Sequence, residues 1–407
     1  MTDRMFTILS AFDDRARPRG SRDPLGAEAC WSHLGRRLVG NLTTVTWNLD
    51  NFIVALLCCR YAHQEQDGGE RIQERYLRAE QVAAYLKLAA QDRLNGVLGI
   101  TRAAKNFTSR PIPLGMAPEA QLLASQASYG LWGLYSGALE GAGLIAGADR
   151  RLTPAGEALA GATVARFSPD NWKEFCRLAG LNALNRELTQ ALAPDFVAIL
   201  GDPALRGAAV DALLARQDSC ALQHELFPLA QRYLLQQEDW SHEDFCEWSL
   251  KHAEAGEELR TVLQRIRSLD PLLRFAETVM QWLQGKNNEP VDALENALRP
   301  HLQGLSLEQD WLAQTDMPHR AFLKDLLAAL SDGDAAAVIR SLLKQNRALM
   351  QARGGAAWIE LDGTRRLVVR VRNDQPRDLE GMGRTGAGWR FNYFLYSFLS
   401  ITRQGLT

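Results

Sequence analysis

The stretch from Asn48 to Tyr61, wound as a helix, is apolar on nearly every side. A helix without a polar face has to be buried, so the chain must fold in a way that covers it. Its approach is consistent with this. From Ala27 onward Trp31, Leu34, Leu38 and Val39 recur at helical spacing, and Asn41 to Thr46 is a polar, β-branched stretch that reads as a loop. Ser21-Arg22-Asp23-Pro24-Leu25-Gly26 ahead of them is turn chemistry. Residues 1–66 therefore read as an N-terminal helical unit.

The chain has 407 residues, enough for several cores, and 46% hydrophobic content with 10 tryptophans argues against a largely disordered protein. Lys plus Arg number 46 against 48 Asp plus Glu, which excludes a polybasic coat or a long acidic tail. No run of about eighteen apolar residues is present, and the N-terminus lacks the basic, apolar, small-residue order of a signal peptide, so a cytoplasmic, non-membrane protein is expected. Six scattered cysteines without a CxxC read as reduced, buried thiols. Only seven of the basic residues are Lys, which with abundant Ala and Gly fits the usage of a GC-rich bacterial genome, a guanidinium-specific ligand being the alternative.

Residues 67–165 form a second unit. Tyr76 to Gln91 reads as an amphipathic helix, Gly96 to Pro118 carries Arg102, Lys105 and Arg110 with few acids, and Glu119 to Leu139 reads as a further helix. The phrase Gly143-Leu144-Ile145, a short polar turn, then Leu152-Thr153-Pro154-Ala155-Gly156 resembles the winged-helix domains of many bacterial proteins. Thr153 is suited to cap the next helix and Pro154 to open it. A recognition helix over Gln126–Gly141 would hold no Arg or Lys and one acid, Glu140. That favours a structural or protein-docking role, and DNA contact, the alternative, would fall to Arg150 and Arg151 in the wing.

Residues 166–352 read as a helical scaffold. Ser168 and Ser241 are candidate caps, and Pro169, Gly180, Pro194, Gly201-Asp202-Pro203, Asp270-Pro271, Pro300 and Pro318 are candidate turns. No fixed repeat period supports a solenoid. His242 and Cys246 stand four apart, half a zinc site with no second pair, and a capped helix start with a core cysteine is the simpler reading. Residues 353–407 read as a hairpin around Asp362-Gly363 followed by an aromatic helix from Trp389 to Arg403. In the second strand Leu367, Val369 and Val371 share one face, while Arg366, Arg370 and Arg372 share the other. From Glu360 to Arg403 eight arginines, Arg384 among them, face five acids, so the near-neutral total hides a basic C-terminal segment.

No phosphate-binding GxxxxGK[ST] loop, nucleophile elbow or HExxH motif occurs. Glu360 and Asp362 invite comparison with metal-dependent nucleases, but no Lys follows Lys344 to assist them. The opening phrase from Gly20 to Leu57, with its Arg-Asp turn, Thr-rich loop and buried helix, resembles the entry segment of helical accessory proteins encoded in bacterial genome-defence loci. That resemblance implies an antiphage or DNA-processing complex with helicase, ATPase or nuclease partners, and it transfers no catalytic residue.

The sequence therefore predicts a mainly α, multi-domain helical protein with an embedded winged-helix-like domain and a small C-terminal β-hairpin. The expected function is a non-catalytic accessory subunit, without metal or cofactor, that docks protein partners. It would contact DNA through Arg366, Arg370, Arg372, Arg384, Arg102, Lys105, Arg110, Arg150 and Arg151. A metal-dependent nuclease component and a protein-interaction scaffold without nucleic-acid contact remain open as alternatives.

Overall fold

The computed structural model describes residues 23–64, 71–215, 221–252, 256–302, 312, 316–373, 377–379 and 389–406. The protein is mainly helical, with a small C-terminal hairpin, and none of the described helices is long and apolar enough to cross a membrane. Asp23 makes the first turn. Its carboxylate accepts the backbone N–H groups of Gly26 and Ala27 (both 2.9 Å) and Glu28 (3.0 Å), capping α1 (Ala27–Leu38). Gly26 sits at φ +80° with the His319 ring where a Cβ would stand, so no other residue fits there without a shift. Asn48 caps α2 (Leu49–Ala62), and every residue of this helix except Arg60 is buried, as its apolar circumference requires.

α3 (Ile72–Ala90), α4 (Ile100–Phe107) and the two-residue strand β1 (Ile112–Pro113) follow. The continuous helix expected over Glu119–Leu139 does not form. Three short pieces replace it: α5 (Gln126–Tyr129), α6 (Leu131–Leu134) and α7 (Ser136–Gly141). The interruption is at Gly130, whose backbone is extended. Buried Glu80 fills the gap, accepting the Leu131 N–H at 2.8 Å and the Gln126 side-chain amide at 2.9 Å. A Cβ at position 130 would lie 2.5 Å from the Gln126 carbonyl oxygen and 2.7 Å from Glu80 Oε1.

The hairpin β2 (Ile145–Ala146) and β3 (Arg151–Leu152) leads into α8 (Pro154–Val164), capped by Thr153 as its sequence suggests. Next come α9 (Pro169–Ala179) behind Ser168, β4 (Ala183–Leu184), α10 (Arg186–Leu200) behind Asn185 and α11 (Pro203–Leu214) behind Asp202. α12 (Ala221–Gln236), α13 (His242–Lys251) behind Ser241, α14 (Glu257–Leu283), α15 (Val291–Leu298), α16 (Arg320–Ser331) and α17 (Ala335–Ala352) continue the chain. Strands β5 (Ile359–Leu361) and β6 (Leu367–Val369) pair antiparallel before α18 (Leu395–Leu406).

Three expectations need correction. Pro194 and Pro271 do not mark turns but lie inside α10 and α14, where packing of the whole helix outweighs one lost backbone hydrogen bond. The aromatic helix starts at Leu395 rather than Trp389. Tyr393 and Phe394 take left-handed φ of +49° and +63°, and Asp270 instead binds the Arg390 N–H (3.0 Å) and Phe391 N–H (3.2 Å). The helix at Tyr76–Gln91 is not amphipathic: α3 packs against both α2 and α10, and Arg75, Glu80, Gln81 and Lys87 are buried beside its apolar residues.

The described residues cluster into two compact units, each built from stretches far apart in sequence. One holds the residues up to Leu34 and Thr261 to Phe391. There Asn346 of α17 donates to the Pro24 carbonyl (2.9 Å) and accepts the Trp358 N–H (2.8 Å), tying the Asp23 turn and the hairpin to one helix. The other holds Gly35 to Arg260 and the chain from Asn392 on, with α2 covered by α3, α6, α8, α11 and α18.

At the centre of this second unit one buried carboxylate meets three cations. Asp50 accepts from Arg206 Nη1 (2.7 Å), Lys87 Nζ (3.4 Å) and Arg93 Nη1 (3.5 Å). Arg206 also donates to the Leu200 and Gln404 carbonyls, both at 2.9 Å. Burial lowers the Lys87 pKa, and Asp50 pulls it back up.

Replacing Asp50 with Asn leaves those cations without a counter-charge. Its unfolding free energy in urea is expected to fall by about 3–5 kcal/mol, and a loss below about 1 kcal/mol would contradict the central role of the pair. Glu80 provides a second test. Burial pushes its pKa up from 4.5 to about 7, against the hydrogen bonds from Gln126 and Leu131 that favour the ionised form. A folded value above the unfolded one means a contribution fully present below pH 4.5 and lost as pH rises through about 7. Relative to Glu80→Gln, the wild type should lose roughly 3 kcal/mol of stability over that window. Parallel pH profiles for the two proteins would refute this.

Candidate nucleic-acid interface

The basic residues singled out in the sequence fall into both units. In the larger one, α4 presents Ala103, Asn106 and Phe107 inward and leaves Lys105 exposed. Its start is set by Gly99, at φ +71°, where a Cβ would lie 2.2 Å from the Leu122 carbonyl oxygen. Arg102 on this helix donates to the Pro118 carbonyl and so clamps the loop that follows. Arg110, just before β1, is exposed, and neither its guanidinium nor the Lys105 ammonium makes a hydrogen bond or ion pair with any of the described residues.

The β2–β3 turn carries the other two. Arg150 has φ +54°, its guanidinium lies 4.3 Å over the Trp132 ring, and it donates to Ser136 Oγ (3.1 Å) and the Ala148 carbonyl. It is therefore a brace between the hairpin and α6, with its Nε and Nη1 donors used internally. Arg151 is exposed and carries no such bonds. Near this turn the His63 pKa is lowered by burial first and by the Arg151 charge second.

In the smaller unit the alternation expected for the second strand is present. Leu367 and Val369 are buried while Arg366, Arg370 and Arg372 are exposed, although β6 itself spans only Leu367–Val369. Their chemistry differs. Arg370 Nη2 is bound by the Glu360 carboxylate, and Arg366 Nη1 donates to the Asn288 carbonyl at 2.7 Å. The Arg372 guanidinium makes no bond to any of the described residues. Arg384 lies outside the described residues.

The two acids compared with nuclease carboxylates are both occupied. Glu360 is bound by Arg370 and approached by Arg347 at 3.9 Å, and Arg370 holds its pKa below the usual carboxylate range. Asp362 caps the hairpin turn, accepting the Thr364 hydroxyl (2.8 Å) and the backbone N–H groups of Thr364 (2.8 Å) and Arg366 (2.9 Å), which lower its pKa. Cys246 is buried behind the Ser241 cap, and among the described residues no group of three or more His, Cys, Asp or Glu side chains is placed to hold a metal ion.

One basic residue escaped sequence reasoning. Arg186 opens α10, and its guanidinium lies 4.8 Å over the Phe107 ring. Pairing of β1 with β4, Ile112 opposite Leu184 and Pro113 opposite Ala183, brings it beside Arg110. Together they line a cleft of about 390 Å³ with Ser109, Pro111, Asn185 and Glu187. The only local signal was Asn185 as a helix cap, and nothing in the sequence joins it to position 110. Comparison of the chain with protein-family models, curated proteins and solved structures finds no match in any of the three.

Proposed function

We propose that this protein is a non-catalytic accessory subunit of a bacterial antiphage defence or DNA-processing complex, docking protein partners and contacting DNA through localised cationic surfaces. The observation that carries this reading is the contrast between paired and unpaired surface cations. Arg177 is matched with Glu174 at 2.6 Å, Arg166 with Asp202 at 2.8 Å and Arg60 with Glu157 at 2.6 Å. Among the described residues Lys105, Arg110, Arg151 and Arg372 are paired with no carboxylate, in a chain whose formal charge is only -2. A guanidinium without an internal acceptor keeps its donors for phosphate oxygens. The hairpin that resembles a wing places Arg151 outward, and the same fold uses Arg150 internally. Helicase, ATPase or nuclease partners would supply the chemistry, in keeping with carboxylates at Glu360 and Asp362 that already serve the hairpin.

Duplex and single-stranded DNA binding should be titrated across a salt series with the full chain. Lys105→Glu with Arg110→Glu should weaken affinity about tenfold or more and reduce the slope of log affinity against log salt by roughly 2. Arg372→Ala should cost more than Arg370→Ala, because Glu360 already holds Arg370. A wild-type chain that retains a neighbouring gene product but binds no DNA at low salt would replace this reading with a pure protein scaffold.

A further inference from the structure

We propose that the cleft between Ser109–Pro111 and Asn185–Glu187 is a receptor for a nucleotide phosphate monoester. This deepens the DNA-contact reading above and rests on it. Two arginines line the cleft, Arg110 on the approach to β1 and Arg186 at the start of α10. Neither guanidinium makes a hydrogen bond or an ion pair with any of the described residues. Arg186 is nevertheless held in place, because its cation rests on Phe107 and Phe107 stacks on Tyr85 at 6.2 Å. Packing on an aromatic face fixes a guanidinium while leaving its N–H edge available, which is the arrangement an anion receptor needs.

The walls are as well anchored as the side chains. The β1–β4 ladder joins them, the Leu114 N–H extends it to the Asn182 carbonyl at 3.1 Å, and α3 grips both sides. Gln81 exchanges two hydrogen bonds with the Gly115 backbone (2.9 and 3.0 Å), and Arg78 donates to the Leu181 carbonyl (3.1 Å) and the Asn182 side chain (3.2 Å). The cleft is thus preorganised, and its roughly 390 Å³ lies within the range of small-ligand sites.

The number of free oxygens selects the type of phosphate. A terminal monoester offers three acceptor oxygens where a backbone diester offers two, enough to engage both guanidiniums of one small cleft at once. Glu187 points the same way. It lines the cleft with no cationic nitrogen of the described residues within ion-pair distance, so it opposes an extended polyanion passing through while offering an acceptor to a sugar hydroxyl or base amino group. The ligand this combination fits is the terminal nucleotide of a strand or a free mononucleotide.

The test uses the full chain and fluorescence anisotropy with single strands of about twelve nucleotides, ending in a 5′-phosphate, a 3′-phosphate or hydroxyls only, with AMP and inorganic phosphate as competitors. One phosphorylated end should bind about tenfold tighter than the hydroxyl-only strand. Arg110→Ala and Arg186→Ala should each erase that preference while leaving the thermal melt unchanged. Arg186→Lys should keep only part of it. Displacement by AMP but not by inorganic phosphate would identify the whole terminal nucleotide as the ligand, and AMP binding by a chain that binds no strand would keep the cleft as a mononucleotide site while removing the DNA reading. Equal affinity for all three strands without AMP binding would overturn the receptor and leave DNA contact standing.

Discussion

The larger unit depends on Asp50. A carboxylate buried among Arg206, Lys87 and Arg93 is costly to desolvate, and the cost is offset only because each of its oxygens meets a charge-assisted donor. The pair sits where four helices meet. Asp50 belongs to the first turn of α2, Lys87 to α3 and Arg206 to α11, and Arg206 passes the interaction to α18 through the Gln404 carbonyl. Gln404 in turn accepts the Leu49 N–H at 2.9 Å and donates to the Trp47 carbonyl at 2.7 Å, so the last helix seals the entry to the first buried one. A helix as largely apolar as α2 could slide against apolar neighbours, and the Asp50 cluster supplies the fixed register that hydrophobic packing alone does not.

From this centre, α3 carries rigidity outward. Glu80 on its inner side holds the interrupted stretch from Gln126 to Leu131. Gln81 donates to the Gln126 side chain (3.0 Å) and also grips Gly115, while Arg78 reaches the segment before β4. Between Glu80 and Lys87 lies a void of about 20 Å³ bordered by Asn51 and Leu131, room for a single water among polar groups. The same helix therefore supports the braced hairpin through α6 and both walls of the Arg110–Arg186 cleft. Cationic side chains placed on such a frame keep their positions without spending their own donors on the protein.

What the sequence made legible was local. The buried α2, the caps at Thr153, Ser168 and Ser241, the loop at Asn41–Thr46 and the hairpin around Asp362 each depend on residues within a few positions of one another. What it hid was decided by distant groups. Gly130 interrupts a helix because Glu80, fifty residues earlier, takes the freed N–H of Leu131. Pro194 and Pro271 look like stops, yet tertiary packing carries their helices through. Tyr393 and Phe394 adopt left-handed backbone that no propensity assigns to aromatic residues, against the close approach of Gly35. Of the basic residues, Lys105 and Arg110 were found by the shortage of nearby acids, but Arg186 depends on a strand pairing some seventy positions long in sequence.

The arginine excess then takes on a physical division of labour. A guanidinium has five donors in a rigid plane, and this fold uses that fork repeatedly where helices end. Arg75 closes the end of α2 through the Tyr61 (2.8 Å) and Gln64 (2.7 Å) carbonyls, and Arg36 gathers the Gly40 (3.1 Å) and Leu42 (2.6 Å) carbonyls after α1. Arg206 and Arg150 act in the same way within the core and at the hairpin. Lysine could replace none of these, since its three donors radiate from a point. Much of the basic content is thus consumed by architecture, which is why the total charge says so little about ligands. The informative cations are the few that the architecture leaves unused. Arg110 and Arg186 among them lie where backbone pairing, aromatic stacking and α3 already fix their surroundings, and an anion bound there would require little further ordering of the chain.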